Sequence, residues 1–340
     1  MESLDIVLTY DFDPELVEEI QSVDPRLSVK TLSRPERLLM RGESLSEGED
    51  AGDALRSLHS TLDTVQVILG WPDLTEELLA RAPNLRWVHV TSAGVDTILD
   101  NPIFRNGRIT VTNSAGVSAP AIGEYILTAM LMLAKQQPRY LRQQIAHQWK
   151  RHRTSELTGK TLGIVGLGAI GEETARRARA FGMRIVATRR SIREPQQTEL
   201  VERLLPASGL PELLAESDFV ALTLPLTKES ERIIGEPELR RMKPGSYLIN
   251  IARGPVIDHL ALLRALQEGW IAGAALDVHD PEPLPAESPF WDLAQVLITP
   301  HISGIADRHN ARITDIFCDN LRRYLAGQSL RNLVDPERGY

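Results

Sequence analysis

Short apolar runs alternate with segments of helical spacing along almost the whole chain. In the first part of the chain the strand-like runs are residues 5–10, 27–32, 65–69, 85–90 and 109–112, with a helical pattern at 14–23. Apolar runs of this length, separated by helices, are typical of a parallel sheet that is covered on both faces. The polar and acidic stretch 41–52 predicts an exposed loop.

A second alternating series begins after residue 113. Ser118 is predicted to cap a helix that carries Pro120 in its first turn, and residues 121–134 are apolar enough for a buried helix. Further strands are predicted at 161–165, 184–187, 219–224, 246–251, 272–278 and 296–299, with helices at 171–181, 211–215, 236–241 and 259–267. This series predicts a doubly wound α/β domain of about 190 residues. A last helix, 312–325, is expected to pack on the N-terminal unit.

Composition narrows the class of protein. A chain of 340 residues predicts two domains. Its net charge of −8 disfavours nonspecific binding to nucleic acid or to anionic membranes. One cysteine, Cys318, excludes an internal disulfide and a thiolate zinc site, and no histidine motif indicates a catalytic metal. Without a signal peptide or an apolar run of about twenty residues, we expect a cytoplasmic protein that does not enter the membrane.

The strongest motif is G-x-G-x-x-G, formed by Gly166, Gly168 and Gly171 between an apolar strand and a helix. The first glycine permits the tight turn, the second lets the backbone approach a pyrophosphate, and the third lets the helix pack close to the strand. The start of the helix then offers its N–H groups to the anion. The motif therefore predicts a dinucleotide site that includes Ala169 and Ile170.

This loop and several later blocks together resemble the D-2-hydroxyacid dehydrogenase family. The later blocks are DFVALTLPLT at 218–227, NIARG at 250–254, ALDV at 275–278 with EPL at 282–284, and TPH at 299–301. Upstream, SAGVD at 92–96 resembles the family's substrate-carboxylate loop, and the similarity spans roughly 60–335. The resemblance implies an enzyme that transfers a hydride between a nicotinamide cofactor and a small 2-oxo or 2-hydroxy acid, such as glyoxylate or hydroxypyruvate.

The resemblance also implies an arrangement of domains. A Rossmann dinucleotide-binding domain, residues 114–302, is expected to be inserted in a discontinuous, flavodoxin-like substrate-binding domain made of residues 1–113 and 303–340. Both domains would be doubly wound α/β folds with parallel sheets. The family pairs through its cofactor domain, so a homodimer is expected.

Four elements of the implied site serve catalysis and substrate binding. His301 is the predicted acid, because an imidazole titrates near neutrality, and Glu282 would favour its protonated form. Arg253 has the fork geometry to bind the substrate carboxylate. The backbone amides of Ala93 and Gly94 would complete the anion site.

A further set of residues is expected to contact the cofactor, and Asp277 is placed by the resemblance near the nicotinamide ring. The set comprises Gly166, Gly168, Ala169, Ile170, Thr188, Arg189, Arg190, Leu224, Pro225, Ile251, Ala252, Asp277, His301 and Gly304.

The end of the second strand of this domain bears on the choice of cofactor. Folds that select NAD usually place a carboxylate there to bind the ribose 2′-hydroxyl. Here the strand ends in Thr188, Arg189, Arg190 and Ser191. The sequence therefore predicts a preference for NADP(H), with NAD(H) accepted as well if both arginines point into solvent.

One different class stays open from the sequence. The same superfamily contains nicotinamide-sensing corepressors that bind the cofactor without turning over a substrate. Formate dehydrogenase is disfavoured, because Pro300 precedes His301 where that enzyme has glutamine. Turnover on a 2-oxoacid would separate an enzyme from a sensor.

Overall fold

The structure, a computed structural model, describes residues 3–46, 50–71, 74–95, 98–99, 101–105 and 107–335. The chain forms two compact units. Unit 1 is Met1–Val117 with Asp307–Tyr340, and unit 2 is Ser118–Ala306. The two divisions lie a few residues beyond the crossings that we predicted near Asn113 and Ile302.

Unit 1 contains a parallel sheet in the order β2-β1-β3-β4-β5, which is the flavodoxin-like order. In register, Ile6 lies beside Val29 on one neighbour and Val67 on the other, so the strand Leu4–Leu8 has a parallel partner on each side. The predicted parallel α/β fold is confirmed. The strands are β1 Leu4–Leu8, β2 Leu27–Thr31, β3 Val67–Leu69, β4 Trp87–Val90 and β5 Thr110–Asn113.

Helices cover both faces of this sheet. They are α1 Pro14–Gln21, α2 Arg34–Met40, α3 Ala51–Thr64, α4 Glu76–Ala80, α5 Pro102–Arg105 and, from the C-terminal segment, α12 His309–Leu325. Helix α12 packs against α1, as expected, and its Phe317 stacks on Trp87 with ring centroids 5.0 Å apart. Within the predicted loop 41–52, residues 47–49 lie outside the described part, and Ala51 already begins α3.

Unit 2 contains a parallel sheet in the order β12-β11-β10-β9-β6-β7-β8. The chain builds β6 to β8 in one direction and β9 to β12 in the other, so the order reverses between β6 and β9. This is the Rossmann arrangement, which binds dinucleotides at that reversal point. The strands are β6 Thr161–Val165, β7 Arg184–Thr188, β8 Arg203–Leu205, β9 Phe219–Leu222, β10 Tyr247–Asn250, β11 Gly273–Leu276 and β12 Val296–Ile298.

The helices of unit 2 pack on its sheet and form two hydrophobic cores with it. One core includes α6 and α8, and the other includes α9, α10 and α11. The bounds are α6 Ala119–Ala134, α7 Gln137–Ile145, α8 Ala169–Ala180, α9 Leu210–Glu216, α10 Glu236–Arg241 and α11 His259–Gln267.

Ser118 does precede α6, but its side chain makes no capping bond, because its backbone is already helical with φ −85° and ψ −4°. In the described part of the chain, no helix combines the length and the apolar character needed to cross a bilayer.

Candidate active site

The predicted residues of unit 2 follow the carboxyl ends of its parallel strands. The glycine loop follows β6, Thr188 ends β7, the Arg253 loop follows β10, and the His301 segment follows β12. Because all of these strands are parallel, their carboxyl ends lie along one edge of the sheet. Doubly wound folds bind their ligands at this edge, beside the reversal point.

The glycine loop is shaped for close approach of backbone and ligand. Gly166 has a φ of 101°, and a Cβ there would lie 2.9 Å from Leu224. A Cβ on Gly171 would lie 2.8 Å from the carbonyl oxygen of Gly166, whereas Gly168 faces open space. Gly168 precedes α8 and has no side chain to cap the first N–H groups, those of Ala169 and Ile170. These features fit the pyrophosphate of a dinucleotide.

The end of β7 joins the glycine loop to the arginine pair. The buried Thr188 accepts, at its carbonyl oxygen, the N–H groups of Gly166 and Leu167. Arg189 follows, and its Nη1 lies 3.6 Å from Oε1 of Glu172 in the first turn of α8. The strand end itself carries no carboxylate, but the first turn of α8 brings Glu172 to Arg189, a contact that we did not predict.

His301 and Glu282 form the hydrogen-bonded pair that the resemblance implied. His301 Nδ1 lies 2.9 Å from Glu282 Oε2, and Glu282 Oε1 accepts the backbone N–H of His279 at 2.8 Å. An ionised carboxylate only accepts hydrogen bonds, so Nδ1 carries a proton and Nε2 is the nitrogen that can exchange one. Partial burial alone would raise the pKa of Glu282, but the hydrogen bonds from His301 and His279 outweigh it and lower that pKa.

The backbone around His301 is held in an unusual conformation by Asp277. His301 has a φ of 54°, in the left-handed region that non-glycine residues seldom adopt. Its N–H donates to the carbonyl oxygen of Asp277 at 2.8 Å. The Asp277 carboxylate, 0% exposed, accepts the N–H groups of Ile302 and Ser303, each at 2.9 Å. Asp277 therefore positions the His301 segment, a role that we did not predict. Its expected contact with the nicotinamide stays a prediction.

A second buried polar residue, Asn250, shapes the Arg253 loop. Its side chain accepts the N–H of Ala252 at 3.0 Å and donates to the carbonyl oxygen of Arg253 at 3.0 Å. The next residue, Gly254, packs so tightly on the carbonyl of His279 that a Cβ would lie 2.0 Å from its oxygen. The Arg253 loop is thus packed against the backbone that leads to Glu282. The preceding predicted contacts, Ile251 and Ala252, are buried.

The remaining predicted cofactor contacts also lie beyond strand ends. Leu224 packs on Gly166, and the carbonyl of Pro225 accepts the Ser230 hydroxyl at 2.7 Å. Gly304 lies beside Ser118, since a Cβ there would be 3.3 Å from its Oγ.

Among the described residues, no group of three or more His, Cys, Asp and Glu side chains is placed to hold a metal ion.

The predicted anion loop belongs to unit 1, directly after β4. The Ser92 hydroxyl donates to the carbonyl of Gly94 at 2.6 Å, and the Asn113 amide donates to the carbonyl of Ala93 at 2.8 Å. Both carbonyls are thereby held by the chain itself, and Ala93 is exposed. Asp96, which completes the matching block, lies outside the described residues.

Nicotinamide-dependent dehydrogenases are the class of protein that combines a Rossmann dinucleotide loop with an acid–base histidine at the same sheet edge. Residues 127–303 match the model of one such family, described as D-isomer specific 2-hydroxyacid dehydrogenase, NAD binding domain. The chain belongs to this family, and the resemblance seen in the sequence is confirmed.

Similar proteins agree with this assignment. A glyoxylate reductase of Korarchaeum cryptofilum is 38% identical over 77% of this chain and 79% of its own length. That of Pyrococcus furiosus is 38% identical over 78% and 80%. A D-isomer specific 2-hydroxyacid dehydrogenase of Xanthobacter autotrophicus, solved with NADPH, is 30% identical with a TM-score of 0.80 and covers 99% of this chain and 100% of its own. An NADPH-dependent glyoxylate/hydroxypyruvate reductase of Sinorhizobium meliloti, solved with NADP, is 26% identical with a TM-score of 0.78 over 99% and 100%.

Proposed function

We propose that this enzyme reduces a small 2-oxoacid, such as glyoxylate or hydroxypyruvate, to the corresponding 2-hydroxyacid, with NADPH as its preferred cofactor. The observation that carries the proposal is the hydrogen bond of His301 to Glu282 at the sheet edge where the glycine loop also lies. Support for the substrate class comes from the glyoxylate reductases among the similar proteins.

The glycine loop, the end of β7 and the loops after β9 and β10 would hold the cofactor. A reduced nicotinamide bound there supplies the hydride for the carbonyl carbon. His301 Nε2 donates a proton to the carbonyl oxygen as negative charge develops on it. Glu282 stabilises the imidazolium before that transfer and keeps the proton on Nδ1 after it. The Arg253 guanidinium binds the substrate carboxylate.

A scan of small 2-oxoacids with the purified enzyme tests the proposed reaction. We expect turnover above about 1 s⁻¹ on at least one of them, which is an ordinary enzymatic rate. Glyoxylate and hydroxypyruvate are compared with 2-oxoacids of longer and branched side chains. A preference for a large, branched substrate would contradict the proposed substrate class, and binding of cofactor without any turnover would indicate the sensor.

The two arginines after β7 support the preference for NADPH, and they lie in different surroundings. Arg189 is near the first turn of α8, through its contact with Glu172. Arg190 lies near Glu229, whose pKa is lowered chiefly by a hydrogen bond from Thr227 and, to a smaller degree, by the charge of Arg190. A charged hydrogen bond contributes about 1.5–3 kcal/mol, so one arginine on the 2′-phosphate favours NADPH about ten- to a hundredfold.

Replacement of both residues, Arg189→Ala with Arg190→Ala, tests this preference. We expect the ratio of kcat/KM for NADPH to that for NADH to fall about tenfold or more. Arg193→Ala removes an exposed arginine slightly further along the chain and serves as the matched control. A wild-type preference for NADH, or a ratio that the double replacement leaves unchanged, would contradict the assignment.

We also propose that the enzyme forms a homodimer through unit 2 in the cytoplasm. Three apolar side chains on and after α7 support the dimer, since Leu141, Ile145 and Trp149 are 49%, 82% and 93% exposed. Light scattering tests it. We expect Trp149→Glu to give monomers and Leu260→Glu, at another exposed apolar position, to leave the dimer intact. A monomeric wild-type protein would refute the proposed dimer.

The proposed cytoplasmic location is supported by the single, buried cysteine, which is consistent with a reducing compartment.

A further inference from the structure

Tyr125 of helix α6 makes a hydrogen bond to the segment that leads from β12 to His301. The hydroxyl of Tyr125 lies 2.7 Å from Oγ1 of Thr299, which directly follows β12. The Tyr125 ring packs on the core around α6 and α8, and the side chain is partly buried. Neither the sequence motifs nor the site described above assigns this tyrosine a role.

The direction of the hydrogen bonds follows from the chemistry of the three groups. The Thr299 hydroxyl lies 2.6 Å from Oδ1 of Asp277 and donates to it, because a carboxylate only accepts. Threonine has one hydroxyl proton, so its oxygen must accept from Tyr125. Burial and, to a smaller degree, the charge of Asp277 raise the pKa of Tyr125 to about 12, against the opposing effect of its bond to Thr299. The tyrosine therefore keeps the proton that it donates throughout the neutral range.

The same Asp277 oxygen also accepts the N–H of Ile302, while the other oxygen accepts that of Ser303. These two bonds hold the backbone immediately after His301, which has the left-handed φ of 54°. A continuous line of hydrogen bonds thus runs from α6 through Thr299 and Asp277 to the segment that carries the proposed acid.

We propose that Tyr125 is a positioning residue for His301, acting through Thr299 and Asp277. The inference rests on the proposed role of His301 as the acid. The tyrosine hydroxyl fixes the orientation of the Thr299 hydroxyl, and this directs the threonine proton to Asp277 Oδ1. Without it, Thr299 rotates among staggered positions and the carboxylate loses a steady donor. The His301 segment then has greater freedom to leave its left-handed conformation, and the alignment of the imidazole with Glu282 and with the substrate is weakened.

The test is a double-mutant cycle on Tyr125→Phe and Thr299→Val. We expect Tyr125→Phe to lower kcat about three- to tenfold, the effect of one neutral hydrogen bond, with little change in the KM of the oxoacid. The acid-dependent limb of its pH profile should move to lower pH, because a displaced imidazole gains less from Glu282. In the Thr299→Val background the same change should have less than about a twofold effect, since the two side chains act in series.

Two further variants separate positioning from packing. Thr299→Ser keeps the hydroxyl and should retain nearly full activity. Tyr247→Phe removes a tyrosine hydroxyl at the start of β10, the opposite end of the strand from the site, and is the matched control. Thermal unfolding of every variant reports its stability.

Three results would overturn the inference. They are a Tyr125→Phe enzyme with wild-type kcat and pH profile, an undiminished effect in the Thr299→Val background, and a loss of kcat that is uniform across pH. His301→Ala is measured in parallel. If that variant is inactive and Tyr125→Phe is silent, only this inference fails. If His301→Ala keeps its turnover, the proposed acid is wrong and the inference fails with it.

Discussion

Replacement of Glu282 by glutamine is the sharpest test of the acid–base pair, because the geometry gives each carboxylate oxygen a separate donor. Oε1 accepts the N–H of His279 and Oε2 accepts Nδ1–H of His301. Glutamine has one oxygen and an NH₂ group in their place. One of the two donors must then face the NH₂ group, and the negative charge that favours the imidazolium is gone in either orientation.

The size of the effect follows from the exposure of the pair. A hydrogen bond between charged groups contributes about 1.5–3 kcal/mol when it is shielded from water. The His301 and Glu282 side chains are 49% and 37% exposed, so solvent screening reduces this contribution to about 1 kcal/mol. One pH unit corresponds to about 1.4 kcal/mol, so we expect the acid-dependent limb of the reduction to move down by about half to one pH unit in Glu282→Gln.

The assay is kcat/KM for 2-oxoacid reduction as a function of pH, with cofactor consumption followed optically. Glu287→Gln removes the charge of an exposed glutamate in the same loop and is the matched control. We expect the control to follow the wild-type profile. The role of the pair would be refuted if the pH profile of Glu282→Gln were the same as that of the wild type. It would also be refuted if Glu287→Gln shifted the profile by the same amount.

Three other outcomes can be measured on the same protein. His301→Ala should lower kcat by about 10²-fold or more with little loss of stability, and a kcat near that of the wild type would contradict its role as the acid. Arg253→Lys should raise the KM of the oxoacid and lower kcat, because lysine lacks the forked guanidinium that binds a carboxylate through two hydrogen bonds. Cofactor affinity should stay nearly constant. Near wild-type kinetics would mean that another group anchors the carboxylate. The lowered pKa of Glu282 stabilises the fold above its ordinary value of 4.5, and this contribution is lost as the pH falls below it. Thermal unfolding in acid should therefore show a smaller loss of Tm for Glu282→Gln than for the wild type, and equal losses would count against the ion pair.

The elements with local signals could be predicted from the sequence. Residues 236–241 and 259–267 are the helices that the periodicity predicts, and the glycine loop lies between β6 and α8 as expected. Each of these signals is contained in a few consecutive residues. The strand Arg203–Leu205 was not predicted, because three residues are too few to show a period.

The contacts that position the site could not be predicted, because their partners are distant in the sequence. Asp277 binds the backbone after β12, and Tyr125 reaches Thr299 from a helix at the start of unit 2. These encounters depend on the order of strands in the sheet and on which helix covers it. The resemblance indicated that Asp277 mattered but assigned it to the cofactor, since a motif carries no information about hydrogen bonds within the fold.

Arg253 and His301 each lie in a segment of unit 2 whose backbone is held by a buried polar side chain. Where a strand ends and the backbone turns away, its N–H and C=O groups lose their ladder partners and must find others. Asn250 supplies them for the Arg253 loop and Asp277 for the His301 segment, and both are 0% exposed. Leaving such buried groups unsatisfied costs about 1–3 kcal/mol, so changes at Asn250 or Asp277 reduce stability and activity together. Changes at the more exposed Arg253 and His301 remove chemistry and leave the fold intact. The difference between those two patterns distinguishes the residues that react from the residues that hold them in place.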